Sequence, residues 1–599
     1  PAHDMNDYAM AQRNNLDIIN IMHDDATFNE NVPKEYQNKD RFDVRKMVLV
    51  ELEKNNFLLN TEEYTHKVGH SERTDAIIEP RLSKQWFLKM EDLAQPALEV
   101  VKNKDVKFYP DRWEKIYNHW LNNIQDWCIS RQLWWGHRIP VWYKDDEIYC
   151  GIQPPKGDGW IQEEDVLDTW FSSWIWPLAT LGWPEEETEL NKFYPTQDLV
   201  TGPDIIFFWV ARMIMSGIYF KDNIPFSNVY FTSIIRDETG RKMSKSLGNS
   251  PDALELFDKY GVDAVRISIL MMAPQGLDIH FKEDRLEQGR NFMNKLWNCS
   301  RFLMMNLDKD LDFDLLELDI NTLDETDKWI LSKLNNLIID VDKSLDAYKM
   351  NDAIKKIYNF VWGDYCDWYI EFSKSRIYGA CNIERERVLS IAVYVLKNIL
   401  KLLHPFAPFI TEEIWSFFNN DKFLAKSSYP IRESKFNFSI EESNIDIFKM
   451  VISSIRNIKS SLGISPKKEI VIHCRGDKSK IKMMESNKHH LLQLVNVKSM
   501  ECGANIKKPD QSATSVISNL EIFIPLKGLI DIDKEIIRLE SKLKDLEARL
   551  NNVKKKLDNE NFVKKAPKQI IDHEQKKYNS YLEDYNKLLD NYNSIASEK

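Results

Sequence analysis

The sequence has 599 residues, 43% of them hydrophobic, and a formal net charge of −12. This length predicts several domains, and the acidic balance argues against a protein that simply coats nucleic acid, although local basic surfaces remain compatible with it. The most apolar long run, residues 205–220, contains Arg212, and no run of about 18 apolar residues is free of charge, so no membrane span is predicted.

The first half of the chain has a mixed pattern. Residues 1–75 combine short helices and strands, with a helix predicted over residues 38–55. From residue 76 to 325 helical and strand patterns alternate, which is typical of an α/β domain. Within this region a strand-like run at 228–235 precedes a turn at 237–240. A helix is predicted next, with Ser250 as its N-cap, Pro251 as its first residue and Gly261 at its end.

From residue 326 to 440 the pattern is helical and predicts a bundle of four or five members. Helices are predicted over residues 350–372 and 384–403, with the second ended by a proline and followed by a helix capped by Thr411. The first helix of the bundle carries an apolar stripe formed by Trp329, Leu334, Leu337, Ile338 and Val341.

The last two regions differ from the bundle. Residues 441–526 return to a small α/β pattern, with strands predicted at 469–473 and 520–525. Residues 527–599 carry two heptad seams separated by Pro567, which predict an antiparallel coiled-coil hairpin. Residues 538–568 contain ten basic and five acidic side chains, a surplus that suits an RNA backbone. A dimerisation coil or an ordinary solvated coil surface is the alternative.

The segment at 242–246 reads KMSKS and lies between a strand-like run and a helix start. Two lysine ammonium groups on a loop beside a helix N-terminus can hold a polyphosphate. A solvated basic loop would explain a generic pair of lysines, but this five-residue string in this context is more specific. It resembles the signature loop of class I aminoacyl-tRNA synthetases.

Further strings extend this resemblance to the valyl-tRNA synthetase family in the family's chain order. The isoleucyl and leucyl families are the nearest competitors, and the WFSS and TLGWP strings together with the C-terminal coil favour valine. The matching segments are residues 126–140 (DWCISRQLWWGHRIP), 165–184 (DVLDTWFSSWIWPLATLGWP), 201–213 (TGPDIIFFWVARM), 240–249 (GRKMSKSLGN), 360–371 (FVWGDYCDWYIE) and 559–567 (NENFVKKAP).

The resemblance implies a fold class and a set of regions. We expect a Rossmann-like α/β catalytic half of a class I synthetase, an α-helical anticodon-binding bundle, a small α/β region and a C-terminal antiparallel coiled coil. The implied regions are a remnant of the editing domain (1–75), the second half of the catalytic domain with the KMSKS loop and a stem-contact region (76–325), the anticodon-binding domain (326–440), the small α/β region (441–526) and a tRNA-binding arm (527–599).

The resemblance also implies how ATP and valine are bound. Lys245, assisted by Lys242, would neutralise the phosphates of ATP, which arrives with Mg²⁺, and these two lysines are the catalytic candidates. Trp170 and Trp209 would wall a valine pocket, although core packing explains most buried tryptophans. The remaining ATP-site candidates are Ser244 and Ser246 in the loop, and Gly202 and Asp204, for which an ordinary turn is the equal alternative.

Hydrolytic editing of mischarged threonyl-tRNA is a further implication. Threonine is nearly isosteric with valine, so an apolar pocket rejects it poorly; this family is itself a standard example of that limit. Asp7 is the main editing candidate, because the resemblance places there an aspartate that holds the ammonium group of the wrong amino acid. His3 and Asp4 are secondary candidates.

The His-x-Gly-His element of a complete class I synthetase does not occur in the sequence. We therefore expect the chain to begin inside the editing insertion, and to bind some tRNA without aminoacylation until the N-terminal half is supplied. The expected function is ATP-dependent ligation of valine to tRNA(Val) by a monomer. A non-catalytic tRNA-binding module and an isoleucyl-type synthetase fragment are the alternatives, and a coiled-coil scaffold explains only residues 529–599.

The number and spacing of the cysteines predict the cellular compartment and whether the protein binds zinc. Seven are scattered along the chain, and none forms a C-x-x-C pair. This pattern predicts reduced thiols in a cytoplasmic protein, no disulfide framework and no protein-bound zinc. No metal-ligating residues are predicted.

Overall fold

The computed structural model describes residues 1–71, 74–244, 247–307, 319–418, 422–529, 532–559 and 568–596. The chain divides into two compact units, the first formed by residues 1–199 and 203–229 and the second by residues 200–202 and 230–599. This division is coarser than the five regions expected from the sequence, whose boundaries stay predictions.

Short helices and strands alternate up to residue 231, as the sequence predicts. The helices are α1 (Met5–Asn14), α2 (Arg41–Lys54), α3 (Glu91–Lys102), α4 (Trp113–Asn122), α5 (Thr169–Ser173), α6 (Trp176–Ala179), α7 (Thr188–Phe193) and α8 (Arg212–Lys221). The strands are β1 (Phe87–Leu88), β2 (Lys107–Tyr109), β3 (Trp127–Cys128), β4 (Ser130–Arg131), β5 (Val141–Lys144), β6 (Glu147–Cys150), β7 (Ile161–Gln162), β8 (Val166–Leu167), β9 (Thr196–Thr201) and β10 (Phe226–Phe231).

These strands form small sheets rather than one large sheet. The strand orders are β2-β10-β9 and β6-β5-β7, with the two-stranded pairs β1-β3 and β4-β8. Strand β5 pairs antiparallel with both of its neighbours. Strand β9 leads into a 3₁₀ turn at Pro203–Ile205 and a π-helical segment at Ile206–Ala211, which continues into α8.

Within the described residues, one helix is long and apolar enough to cross a membrane, Pro203–Lys221. Half of its apolar window is buried inside the protein. It also contains the buried Arg212. The sequence prediction that this run is not a membrane span stays a prediction.

The second unit is mainly helical and carries one four-stranded sheet with the order β14-β13-β16-β15. Its helices are α9 (Ala253–Tyr260), α10 (Val262–Met272), α11 (Leu286–Asn306), α12 (Glu325–Asp346), α13 (Met350–Asn359), α14 (Ile370–Ile377), α15 (Asn382–Leu403), α16 (Pro408–Ser416), α17 (Ser439–Ser461), α18 (Lys478–Ser486), α19 (Lys488–Val495), α20 (Ile532–Leu557) and α21 (Lys568–Ala596). Its strands are β11 (Ile235–Arg236), β12 (Ile279–His280), β13 (Ile470–Arg475), β14 (Val497–Gly503), β15 (Ser512–Ile517) and β16 (Leu520–Pro525).

The predicted bundle is present, and its apolar stripe is buried. All five stripe residues of α12 lie in one continuous core with α13, α15 and α17. The helix predicted over 350–372 is present and runs without a break through α13 and α14, but the segment Phe360–Tyr369 between them is π-helical. Thr411 is not a cap, since it lies inside α16, where its hydroxyl donates to the Ala407 carbonyl oxygen at 2.7 Å.

The helix after the KMSKS segment begins later than predicted. Its N-cap is Asp252, whose carboxylate accepts a hydrogen bond from the Leu254 N–H at 2.7 Å. The assignments of Ser250 as the N-cap and of Pro251 as the first helical residue are therefore wrong. Serine and aspartate are both good N-caps. Because the helix begins at Ala253, the residue in the N-cap position is Asp252 rather than Ser250. Gly261 ends the helix with a φ of +90°, as predicted.

The two C-terminal helices lie against each other in opposite directions. Tyr592 near the end of α21 donates to the Glu540 carboxylate near the start of α20 at 2.8 Å. Lys556 at the end of α20 forms an ion pair with Glu574 near the start of α21 at 3.7 Å. Leu539, Leu543, Leu550 and Val553 of the predicted seam are buried. The predicted break at Pro567 lies outside the described residues.

Candidate functional site

A short parallel strand pair positions the loop that carries the lysines. β11 pairs with β12 through Ile235 opposite Ile279, and Arg236 forms an ion pair with Asp278. The chain then turns at residues 237–240, where the Gly240 N–H donates to the Asp237 carbonyl oxygen at 2.9 Å and Gly240 has a φ of +86°. The predicted turn is therefore confirmed, and it forms the start of the loop.

The Asp237 carboxylate organises the first part of this loop. Its Oδ1 accepts hydrogen bonds from the Thr239 hydroxyl at 2.7 Å and from the backbone N–H groups of Thr239 and Arg241. Its Oδ2 accepts from Asn249 at 3.0 Å and pairs with the Arg241 guanidinium at 3.1 Å. The Thr239 hydroxyl and the Asn249 amide stabilise the ionised form and lower the pKa of Asp237 well below its usual range.

Asn249 joins the two ends of the loop. Its amide nitrogen donates to the Asp237 carboxylate and, at 3.3 Å, to the Lys242 carbonyl oxygen, while its Oδ1 accepts from the Ser244 N–H at 2.9 Å. The Ser244 hydroxyl accepts from the Leu247 N–H at 3.3 Å. Lys242 and Ser244 therefore lie on a segment that a single asparagine clamps. Lys245 and Ser246 lie outside the described residues.

A second group of side chains surrounds the buried carboxylate of Asp168 in the first unit. Asp168 caps α5, and its Oδ2 accepts from the Trp127 indole at 2.9 Å and from Arg131 at 3.0 Å. The Arg212 guanidinium lies 3.8 Å from the same oxygen and 3.5 Å from the centroid of the Trp127 ring. Burial lowers the pKa of Arg212 to about 10, and the negative charge of Asp168 limits that fall.

Trp170 and Trp209 both bridge α5 and the π-helical segment at Ile206–Ala211. Trp170 stacks on Phe208 with ring centroids 5.8 Å apart, and the Trp209 indole donates to the Ser173 carbonyl oxygen at 3.0 Å. Both tryptophans are half-buried. The fold therefore places Trp170 and Trp209 where α5 contacts the π-helical segment. Short π-helical segments occur often at functional sites.

The other predicted site residues lie in simpler surroundings. Gly202 follows β9 and is half-buried, while Asp204 is exposed on the 3₁₀ turn. At the N-terminus, Asp4 is the N-cap of α1 and His3 uses both ring nitrogens, one with the Pro80 carbonyl oxygen and one with the Ile21 N–H. Asp7 is exposed in the first turn of α1. His3 and Asp4 therefore have structural contacts, and a role in editing stays a prediction for all three.

Two positioning residues were missed by the sequence analysis, Asn249 and Asp168. Both lie within the segments that carry the family resemblance, but no role was predicted for either residue. The available signal was local: an asparagine or aspartate beside a turn or a helix start commonly binds the nearby backbone.

Three families of known proteins match successive parts of the chain. Residues 18–282 match the tRNA synthetases class I (I, L, M and V), residues 327–474 match the anticodon-binding domain of tRNA ligase, and residues 531–596 match the valyl tRNA synthetase tRNA binding arm. The chain thus has the catalytic fold and the anticodon-binding domain of a class I aminoacyl-tRNA synthetase. Individual relatives narrow this class further.

The chain is 44% identical to the valine–tRNA ligase of Halalkalibacterium halodurans over 591 residues, a match that covers 97% of the chain and 67% of the relative. Identity to the valine–tRNA ligase of Fusobacterium nucleatum is 45%, covering 97% of the chain and 68% of that protein. The Bacillus subtilis valine–tRNA ligase is 43% identical, with 97% and 67% covered. The chain belongs to the valyl-tRNA synthetase family. It spans about two thirds of the length of these relatives.

Proposed function

We propose that this chain supplies the KMSKS loop, the valine pocket and the tRNA-binding regions of an enzyme that ligates valine to tRNA(Val) in the cytoplasm. Valine would first react with ATP to give valyl-adenylate and pyrophosphate, and the valyl group would then pass to the tRNA. The observation that supports this most strongly is the 41–45% identity to valine–tRNA ligases along 97% of the chain.

The role we propose for the loop is charge neutralisation. The ammonium groups of Lys242 and Lys245 would bind the phosphates of the ATP–Mg²⁺ complex and stabilise the charge that develops on the departing pyrophosphate. Ser244 and Ser246 would contact the same phosphates or shape the loop. The clamp formed by Asn249 and Asp237 supports this role, because it holds the two ends of the loop together.

The role we propose for the aromatic pair is selection of the amino acid. Trp170 and Trp209, held on α5 and the π-helical segment, would form rigid apolar walls around the two methyl groups of valine. Gly202 and Asp204 would contact the adenosine part. Editing of threonyl-tRNA would involve Asp7, with His3 and Asp4 acting through the structural contacts described above.

The C-terminal helices are proposed to form a coiled-coil arm that binds the tRNA backbone. The opposed packing of α20 and α21, and the exposed lysines 554–556 at the end of α20, support this role. Coulombic attraction to phosphate is the physical basis. The enzyme is proposed to act as a monomer.

The function is tested by comparing tRNA binding with aminoacylation. We expect the chain to bind tRNA(Val) in a filter assay and to charge it with valine once it is joined to the part of a family member that the chain does not span, a protein we call the completed enzyme. Charging with valine would support the ligase. Salt-sensitive tRNA binding with no charging by the folded, completed enzyme would instead support the runner-up, a non-catalytic tRNA-binding module.

Asn249→Ala is expected to raise the KM of the completed enzyme for ATP by about tenfold. The substitution removes hydrogen bonds that hold the loop ends together, and each such bond is worth about 1 kcal/mol. Valine-dependent exchange of pyrophosphate into ATP provides the measurement. The matched control is Asn191→Ala on α7, an exposed position that should leave the KM unchanged. Equal KM values for the two variants would show that the clamp does not position the loop.

Replacing Lys554, Lys555 and Lys556 together by glutamine is expected to weaken tRNA binding and to flatten its salt dependence. Each lost phosphate contact reduces the slope of log affinity against log salt by roughly 0.7–0.9. The control changes three lysines of α18, Lys478, Lys480 and Lys482, by the same amount of charge. If both triple variants lose affinity equally, the effect is one of net charge and the proposed arm is not the binding surface.

A further inference from the structure

The start of α12 and the start of α19 meet in the second unit, although they are far apart in sequence. The Asn487 amide, just before α19, donates to the Glu325 carboxylate at 2.8 Å. Asp324 is the N-cap of α12, and His489 and His490 lie in the first turn of α19. One donor atom from each of these three residues lies within 4.8 Å of the other two.

His490 is the unusual member of this group. Its side chain is fully buried, yet neither ring nitrogen has a hydrogen-bond partner among the described residues. Its ring lies against Phe372, with centroids 4.7 Å apart. A buried imidazole with two unpaired ring nitrogens is unusual, because buried polar groups almost always have a partner.

Asp324 and His489 complete a mixed donor set. The two hydrogen bonds that Asp324 accepts among the described residues, from the Thr326 N–H at 2.6 Å and the Thr326 hydroxyl at 2.8 Å, both use Oδ1. Its Oδ2 can therefore bind another group. His489 is exposed, so the site opens to solvent on that side.

The charge near the site is compatible with a cation. Arg376 acts electrostatically on both Asp324 and His490, but its guanidinium is bound by the buried Asp327 carboxylate through contacts of 2.6 and 2.9 Å. Asp324 contributes a further negative charge. Two imidazoles and one carboxylate are ligands that suit zinc and related transition metals rather than magnesium or calcium.

We propose that Asp324, His489 and His490 bind one divalent transition-metal ion, with zinc as the best fit to this donor set. A water molecule would occupy the position on the exposed side. The ion would tie the start of α12 to the start of α19 and satisfy the buried imidazole of His490. This site differs from the sequence prediction of no protein-bound zinc, which considered only paired cysteines.

The proposal is tested on the whole chain after removal of metals, by equilibrium dialysis against Zn²⁺. We expect one ion per chain and an affinity at least tenfold weaker in His489→Ala and in Asp324→Asn. These variants should fold, because His489 is exposed and asparagine also caps helices well. Zinc should also raise the melting temperature of the parent chain and not that of His489→Ala.

Two controls separate this site from other zinc ligands. His473→Ala removes a histidine that pairs with Glu501 at 3.1 Å on the sheet, and Cys502→Ser removes a thiol that lies opposite Cys474. Both controls should bind zinc like the parent chain. The proposal is overturned if the parent binds no zinc, or if His489→Ala and Asp324→Asn bind it with unchanged stoichiometry and affinity.

Discussion

Lys245→Ala is expected to reduce valine-dependent pyrophosphate exchange by the completed enzyme by a factor of about 10²–10³. Loss of one donor that meets charge developing in a transition state typically costs this much. Displacement at a phosphorus atom of ATP depends on charge neutralisation more than on covalent help from the protein. Alanine at position 245 removes the positive charge that would supply this neutralisation. Lys242→Ala is also expected to reduce pyrophosphate exchange, but by a smaller factor.

The effect of Lys245→Ala should appear in kcat more than in the KM for ATP. Loss of an interaction that is made only in the transition state lowers kcat and kcat/KM equally. The control is Lys259→Ala on α9, which removes an exposed ion pair with Glu283 outside the proposed site and should leave exchange unchanged. Exchange at the parent rate in Lys245→Ala would refute the role proposed for the loop.

Asp327→Asn is expected to destabilise the helical bundle by about 3–5 kcal/mol, the cost of removing one partner of a buried ion pair. The Asp327 carboxylate is fully buried, binds the Arg376 guanidinium through two contacts of 2.6 and 2.9 Å, and accepts from the Tyr369 hydroxyl at 2.8 Å. Burial alone would lower the pKa of Arg376, but the charge and the hydrogen bonds of Asp327, together with the charge of Asp324, outweigh burial and raise that pKa. The variant therefore leaves a cation buried without its counter-charge.

Hydrogen exchange of the α12 amides in the full chain measures this loss locally, which avoids treating a large chain as a two-state folder. The matched control is Glu283→Gln, which breaks the exposed Lys259–Glu283 pair at 2.7 Å and should leave the protection of the α12 amides unchanged. Equal protection in the two variants would mean that the Asp327–Arg376 pair does not stabilise the bundle.

Periodicity predicted the bundle well, because burial of an apolar stripe depends on spacing within one helix. The stripe of α12 and the helix at 382–403 follow this rule. Helix ends were predicted less well, since several capping residues compete over a few positions. Asp252 replaces Ser250 as a cap for this reason. The π-helical segment at Phe360–Tyr369 leaves no distinct mark on a pattern of period 3.6.

Some residues of the candidate sites were identified from the sequence, and others were recognised only in the folded structure. Residues in contiguous strings, such as Lys242 and Trp170, were identified from the sequence because their neighbours carry the resemblance. Asn249 was missed because its importance depends on hydrogen bonds to Asp237 and Ser244 that only the folded loop reveals. The cluster of Asp324, His489 and His490 could not be predicted, since about 165 residues separate its two parts and no local spacing connects them.

The central claim is that this chain supplies the loop and the pocket of an enzyme that activates valine. The most direct measurement is ATP–pyrophosphate exchange by the completed enzyme with valine and isoleucine in parallel. One methylene that a small pocket cannot accommodate is worth about 1–3 kcal/mol. We therefore predict exchange with valine that exceeds exchange with isoleucine by at least tenfold. Exchange that prefers isoleucine, or none with either amino acid in a folded protein that binds tRNA(Val), would contradict the account.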